Sequence, residues 1–122
     1  MSISESESVV MQVLWASSPL SAEEIVAKLG DTRQWQEATV KTLLNRLLNK
    51  GAIGAEKQGR RYLYRPLLAR DDYVLGESRD LIDRLFGGRI APLVAHFSAH
   101  RKLSKKDIAE LKRLIAELPD ER

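Results

Sequence analysis

The sequence predicts a mainly α-helical chain carrying one small β-hairpin, with two successive regions: an N-terminal winged helix-turn-helix, residues 1–70, and a three-helix region, residues 71–122, suited to dimerisation. Three observations lead there. Short amphipathic stretches with strong N-terminal signals follow one another up to Lys50. "AIGAEKQGRRYLYRPL" then changes period from helical to alternating around a glycine. Beyond Arg70 the pattern is helical again, but each stretch has only a narrow apolar stripe.

The first helix is expected to open at Ser4. In "SESE", Ser4 stands as N-cap and Glu7 as the acid three residues on, a capping box that satisfies two otherwise free N–H groups. Val9, Val10, Val13 and Leu14 form its apolar stripe, Trp15 lies near its end and "SSPL" breaks it. A second box follows, Ser21 with Glu24, where Leu20 and Ile25 sit as a hydrophobic staple. Gly30 is expected to stop this helix in the left-handed conformation. After the loop "DTRQW", in which Trp35 reads as a packing wedge, a third helix runs to Lys50 with Gly51 just past its end. Ile53 to Lys57 and Arg61 to Arg65 then alternate as two strands around "QGR", and Pro66 closes the second. Three short helices followed by a hairpin is the order of a winged helix-turn-helix, whose second helix of the pair lies in the DNA major groove.

The third helix, "ATVKTLLNRLLNKGAI", has two unlike faces. Val40, Leu43, Leu44, Leu47 and Leu48 recur at core-facing spacing, while Thr39, Lys41, Thr42, Asn45, Arg46 and Asn49 carry donors, hydroxyls and amides without an acid. A solvent face normally mixes both signs of charge. Residues 38–70 hold eight basic residues against the single acid Glu56, a net +7 in a chain whose formal charge is only +3. So localised a positive charge is the footprint of a polyanion site. Asn pairs with adenine N6 and N7, and Arg bridges guanine O6 and N7 or a phosphate. Lys41, Thr42 and Asn45 are accordingly expected toward the bases, and Thr39 and Arg46 on the flank at phosphates. Lys57, Arg60 and Arg61 at the wing tip are expected at the neighbouring backbone or minor groove, where contacts add affinity without sequence information.

In the last third, "DDYVLGESRDLIDRLFGG" sets Val74, Leu81 and Leu85 on one side and stops at Gly87 and Gly88. "RIAPLVAHFSAH" follows with Ile90, Leu93, Val94 and Phe97. The final segment has Ser104 as cap, Asp107 three residues on, a Leu103–Ile108 staple and the stripe Ile108, Leu111, Ile115 and Leu118. Three such helices cannot make a thick core alone, whereas a second copy would bury their stripes, so a homodimer is expected.

Other classes find little support. With no cysteine and two histidines, there is no disulfide, no thiolate metal site and no convincing zinc centre; His96 and His100, spaced i, i+4, read as surface or interface residues. No Gly-rich phosphate loop, nucleophile motif or carboxylate pair suggests an enzyme, and no cofactor or metal is expected. The start "MSISESESVV" is acidic, unlike a signal peptide, and no apolar run approaches the roughly 18 residues of a membrane helix, so no membrane insertion and a cytoplasmic location are expected. The rival readings are a winged-helix protein–protein module and a double-stranded RNA binder.

"SESESVVMQVLW", "WQEATVKTLLNRLLNKGAI", "GRRYLYRP", "DDYVLGESRDLIDRLFGG" and "LVAHF" together resemble the penicillinase-repressor family, the BlaI/MecI/CopY group, over nearly the whole chain. The resemblance implies a homodimeric winged-helix repressor on a pseudo-palindromic double-stranded DNA operator, controlling antibiotic-resistance or copper genes. It also implies release by cleavage in the dimerisation region, triggered by a membrane metalloprotease sensor. Thr39, Thr42 and Arg46 match family positions that contact DNA. Relatives often have Ser-Pro-Lys where this chain has Gln36, Glu37 and Ala38, which removes a good N-cap and a basic side chain. The family's scissile Asn–Phe pair corresponds here to His96–Phe97, and the cysteine-rich tail of the copper-sensing branch is absent.

Overall fold

A computed structural model describes residues 2–119. The elements are α1 (Glu5–Ala16), α2 (Ala22–Leu29), a 3-10 turn (Gly30–Thr32), α3 (Glu37–Lys50), β1 (Ile53–Gln58), β2 (Arg61–Pro66), α4 (Arg70–Phe86), α5 (Ile90–Ala99) and α6 (Lys105–Glu117). They form two compact units, one up to Val74 and one from Leu75.

The first unit is a winged helix-turn-helix. The Ser4–Glu7 and Ser21–Glu24 capping boxes are both complete, so α1 and α2 begin where their local chemistry places them. Val10, Met11 and Leu14 of α1, Ile25 of α2, and Val40, Leu44 and Leu47 of α3 are fully buried in one cluster, joined by Ile53 and Tyr64 from the hairpin. At the end of α3, Gly51 adopts φ 77°, ψ 14°, and its amide reaches the carbonyls of Leu47 and Leu48. The other expected helix stop is corrected. Gly30 has a positive φ of 54° but ψ of −138°, which is not the left-handed helical region, and the chain continues into a 3-10 turn.

The hairpin is antiparallel, with Ile53 opposite Pro66 and Gln58 opposite Arg61. Gly59 and Arg60 make the two-residue loop; the positive φ of 66° at Gly59 alone is the type II′ arrangement. Tyr64 also pairs with Leu20 from the α1–α2 connection, through amide–carbonyl bonds of 2.7 and 3.0 Å in the two directions. Trp15 donates its indole N–H to the Leu68 carbonyl at 2.8 Å and packs against Tyr73, ring centroids 5.4 Å apart.

The second unit contains the rest of α4, α5 and α6. Ser104 and Asp107 form the expected capping box of α6. None of the residues of α4, α5 or α6 is buried. Leu85, Ile90, Ile115 and Leu118 are each about 60% exposed, so the apolar stripes lie open on the single chain.

Candidate nucleic-acid interface

Packing of Val40, Leu43, Leu44 and Leu47 inward leaves Thr39, Lys41, Thr42, Asn45, Arg46 and Asn49 outward, and all six are exposed. One turn of helix separates Thr39 from Thr42, and another Thr42 from Arg46. These three side chains line a groove with Ser4, the N-cap of α1, with Ser6 of α1 and with Trp35. Trp35 is half-buried against the core with the Arg33 guanidinium over its ring, 5.6 Å from the centroid, which fits the wedge expected of it. The Thr42 hydroxyl donates to the Ala38 carbonyl at 3.0 Å. Its donor is therefore used within the helix, and the oxygen lone pairs and methyl remain for a ligand.

Lys41 lies on the opposite flank. Together with Glu37, Glu23, Arg60, Arg61 and Tyr62 it lines a second groove, between α3 and the hairpin. Here the acid-free face needs correction: Glu37, in the first turn of α3, places a carboxylate oxygen 3.0 Å from the Lys41 ammonium. That hydrogen bond raises the Lys41 pKa above its ordinary value, and the Glu37 charge adds to the effect. The signal was present in the sequence as an i, i+4 Glu–Lys pair, one residue before the stretch that holds the other polar side chains.

Lys57, Arg60 and Arg61 are exposed at the hairpin tip. Among the described residues these three and Arg46 form no ion pair, so their charges face solvent. Arg61 lies near enough to Glu24 to help lower its pKa, although the principal cause there is the Ser21 amide donating to the carboxylate. Lys50, one of the eight basic residues, is used elsewhere: its ammonium binds Glu7 and, at 2.7 Å, the Ser2 carbonyl. Gln36 stands as N-cap of α3 without a side-chain capping bond, as its substitution for a short hydroxyl residue suggests.

The structure thus gathers Thr39, Thr42 and Arg46 on one flank and Lys41 with Arg60 and Arg61 on the other. Asn45 follows Lys41 by one turn on the same exposed arc. Glu37 joins the Lys41 flank, and Arg33 stands over Trp35, which lines the other groove; neither was singled out by composition or periodicity. In the second unit, His96 and Phe97 are exposed on α5, with the His96 and His100 rings 4.5 Å apart and His100 Nδ1 3.0 Å from the His96 carbonyl.

Comparison with known proteins gives a consistent set of relatives. Residues 3–117 match the family model described as penicillinase repressor. The chain is similar to the penicillinase repressor of Bacillus licheniformis, 33% identical over 115 residues that cover 94% of this chain and 90% of that protein. It is also similar to the solution structure of the DNA-binding domain of the repressor BlaI, with TM-score 0.53 and 38% identity, covering 58% of this chain and 87% of that one. The solution structure of monomeric Bacillus licheniformis BlaI in complex with the blaP half-operator matches with TM-score 0.51 and 37% identity, over 60% of this chain and 89% of that one.

Proposed function

The chain belongs to the penicillinase repressor family, and we propose that it is a DNA-binding transcriptional repressor that acts as a homodimer on a pseudo-palindromic operator. The observation that carries this reading is the outer arc of α3, where Thr39, Thr42, Asn45 and Arg46 are all exposed beside a hairpin tip bearing Lys57, Arg60 and Arg61. The likeness to BlaI in complex with a half-operator supports the same use of the fold.

In this reading residues 1–70 read DNA and residues 71–122 pair two chains. The open stripes of α4, α5 and α6 supply the pairing surface, since a self-complementary apolar patch is what a two-fold interface requires. Half-sites would then lie roughly 10 base pairs apart or a small multiple of that. The dimer occupies the operator and excludes polymerase, which places its work in the cytoplasm. Its target genes are those of β-lactamase or related antibiotic resistance. Release follows cleavage within α5 at His96–Phe97, commanded by a membrane metalloprotease sensor. His96 and Phe97 are both exposed on the single chain.

The test is fluorescence anisotropy against duplexes selected from a random pool, repeated over a salt series. A two-fold symmetric site bound far above bulk DNA, with steep salt dependence, supports the reading. Failure to enrich any site would move the assignment to a protein-interaction module, and preference for a matched RNA duplex would move it to RNA.

A further inference from the structure

We propose that Glu37 and Lys41 act as one two-point reader of a C·G base pair in each half-site, Glu37 accepting from cytosine N4 and Lys41 donating to guanine O6 and N7. The inference rests on the DNA-reading role of α3 proposed above and adds a residue, Glu37, and a base identity to it.

Glu37 is the one acid among the fourteen residues of α3 and sits in its first turn, the part of a recognition helix that reaches base edges. Lys41 already meets one carboxylate oxygen, but a carboxylate facing DNA phosphates is repelled unless donors on the bases also meet its remaining lone pairs. In the major groove only the amino groups of cytosine and adenine donate. Its carboxylate oxygen lies 3.0 Å from the Lys41 ammonium, and the two side chains are 44% and 58% exposed. Cytosine N4 and guanine O6 are hydrogen-bonded to each other in a base pair, so donor and acceptor there also lie about 3 Å apart. An acceptor and a donor held at that separation on the protein match that edge atom for atom.

The neighbouring atoms decide between base pairs. A G·C or T·A pair in the reverse sense sets a base acceptor against Glu37 and is rejected. A·T offers the central donor and acceptor in the right order, but adenine N7 then faces the carboxylate and a thymine methyl faces the ammonium. C·G places a neutral C–H beside Glu37 and a second acceptor, N7, beside Lys41. Arg60 and Arg61 line the same groove from the hairpin side; in this reading they serve the backbone and leave the pair to the bases.

The test compares selection from a random duplex pool by the full-length wild type, Glu37→Gln and Lys41→Met, followed by anisotropy titrations on the recovered site with that base pair varied. Wild type is expected to fix C·G at one position per half-site, with about tenfold discrimination over A·T per half-site. Glu37→Gln is expected to lose that preference or turn it toward A·T, because an amide pairs well with adenine, while binding bulk DNA more tightly. Lys41→Met is expected to relax the same position. If wild type fixes a site and both variants fix the same base at every position, the inference is overturned, including where their melting temperatures fall. If wild type itself fixes no site, the DNA-reading proposal fails first and takes this one with it.

Discussion

Glu7 of α1 binds the ammonium of Lys50 from the last turn of α3 while remaining only 2% exposed. The same carboxylate accepts the Ser4 amide at 2.9 Å, so one side chain caps the first helix and fixes the far end of the third. A change at this pair therefore reaches the helix that carries the interface without touching its outer arc.

Burial alone would raise the Glu7 pKa, but the hydrogen bond and charge of Lys50 and the Ser4 amide outweigh it and hold the group below the ordinary 4.5. A depressed folded-state pKa means that its contribution is complete above about pH 4.5 and is lost as pH falls through the lower native value. Urea denaturation at pH 7, 5, 4 and 3 should show that loss below 4.5, and Glu7→Gln should flatten it. At pH 7, Lys50→Met should cost about 2 kcal/mol, less than the 3–5 kcal/mol of a fully buried pair because Lys50 is one-third exposed. An unchanged acid limb in Glu7→Gln would assign the effect to other carboxylates.

The two units should respond oppositely to apolar substitution. Leu44 is fully buried at the centre of the first, and Leu44→Ala should lose about 3 kcal/mol at any protein concentration. Ile115, 66% exposed on α6, should behave differently: Ile115→Asp should leave the first unit's unfolding unchanged yet weaken self-association at least tenfold. Sedimentation velocity over a dilution series reads the second effect. A monomeric wild type at all concentrations would remove the pairing proposal.

Operator binding should fall steeply with salt. If a dimer neutralises about eight phosphates, log K against log salt should have a slope near −7. Arg46→Gln removes one unpaired charge from each chain and should flatten the slope by about two, whereas Thr39→Ala should weaken binding with the slope unchanged. Equal slopes for wild type and Arg46→Gln would take Arg46 off the phosphate backbone.

The uncapped start of α3 is a correctable weakness. Gln36 already has the extended backbone of an N-cap, φ −82° and ψ 164°, but makes no side-chain bond. Gln36→Ser should add about 0.5–1 kcal/mol, seen as a higher melting temperature, and Ser21→Ala should subtract about 1 kcal/mol by deleting a working cap. No gain from Gln36→Ser would mean that the neighbouring loop, with Gln34 at φ 56°, sets the helix start.

What the sequence discloses follows the range of the forces involved. Capping boxes act over three residues, so the starts of α1, α2 and α6 could be read directly. The hairpin was legible because alternation and a loop glycine are equally local. Gly30 was legible only as a break: glycine's freedom spans several positive-φ regions, and the 3-10 turn that follows selects one of them. Lys50 reads as part of a basic patch because its partner, Glu7, lies 43 positions away. Glu37 and Lys41 obey helical spacing, yet a spacing rule gives no sign that the pair borders a groove with the hairpin. The stripes of α4, α5 and α6 follow from periodicity, but among the described residues none of these three helices has a buried side chain, so what covers the stripes is not written within one chain.

The Leu20–Tyr64 bridge has a mechanical consequence. It clamps β2 to the connection between α1 and α2, with bonds in both directions, and leaves the loop at Gly59 and Arg60 projecting beyond it. The hairpin is a cantilever, tied at its root by that bridge and exposed at its end. In deuterium exchange the Leu20 and Tyr64 amides should open only when the whole unit does, whereas those around Gly59 exchange through local fraying. If the hairpin docks on a duplex as proposed, its tip is the part free to adjust to groove width, while its root stays tied to the helices.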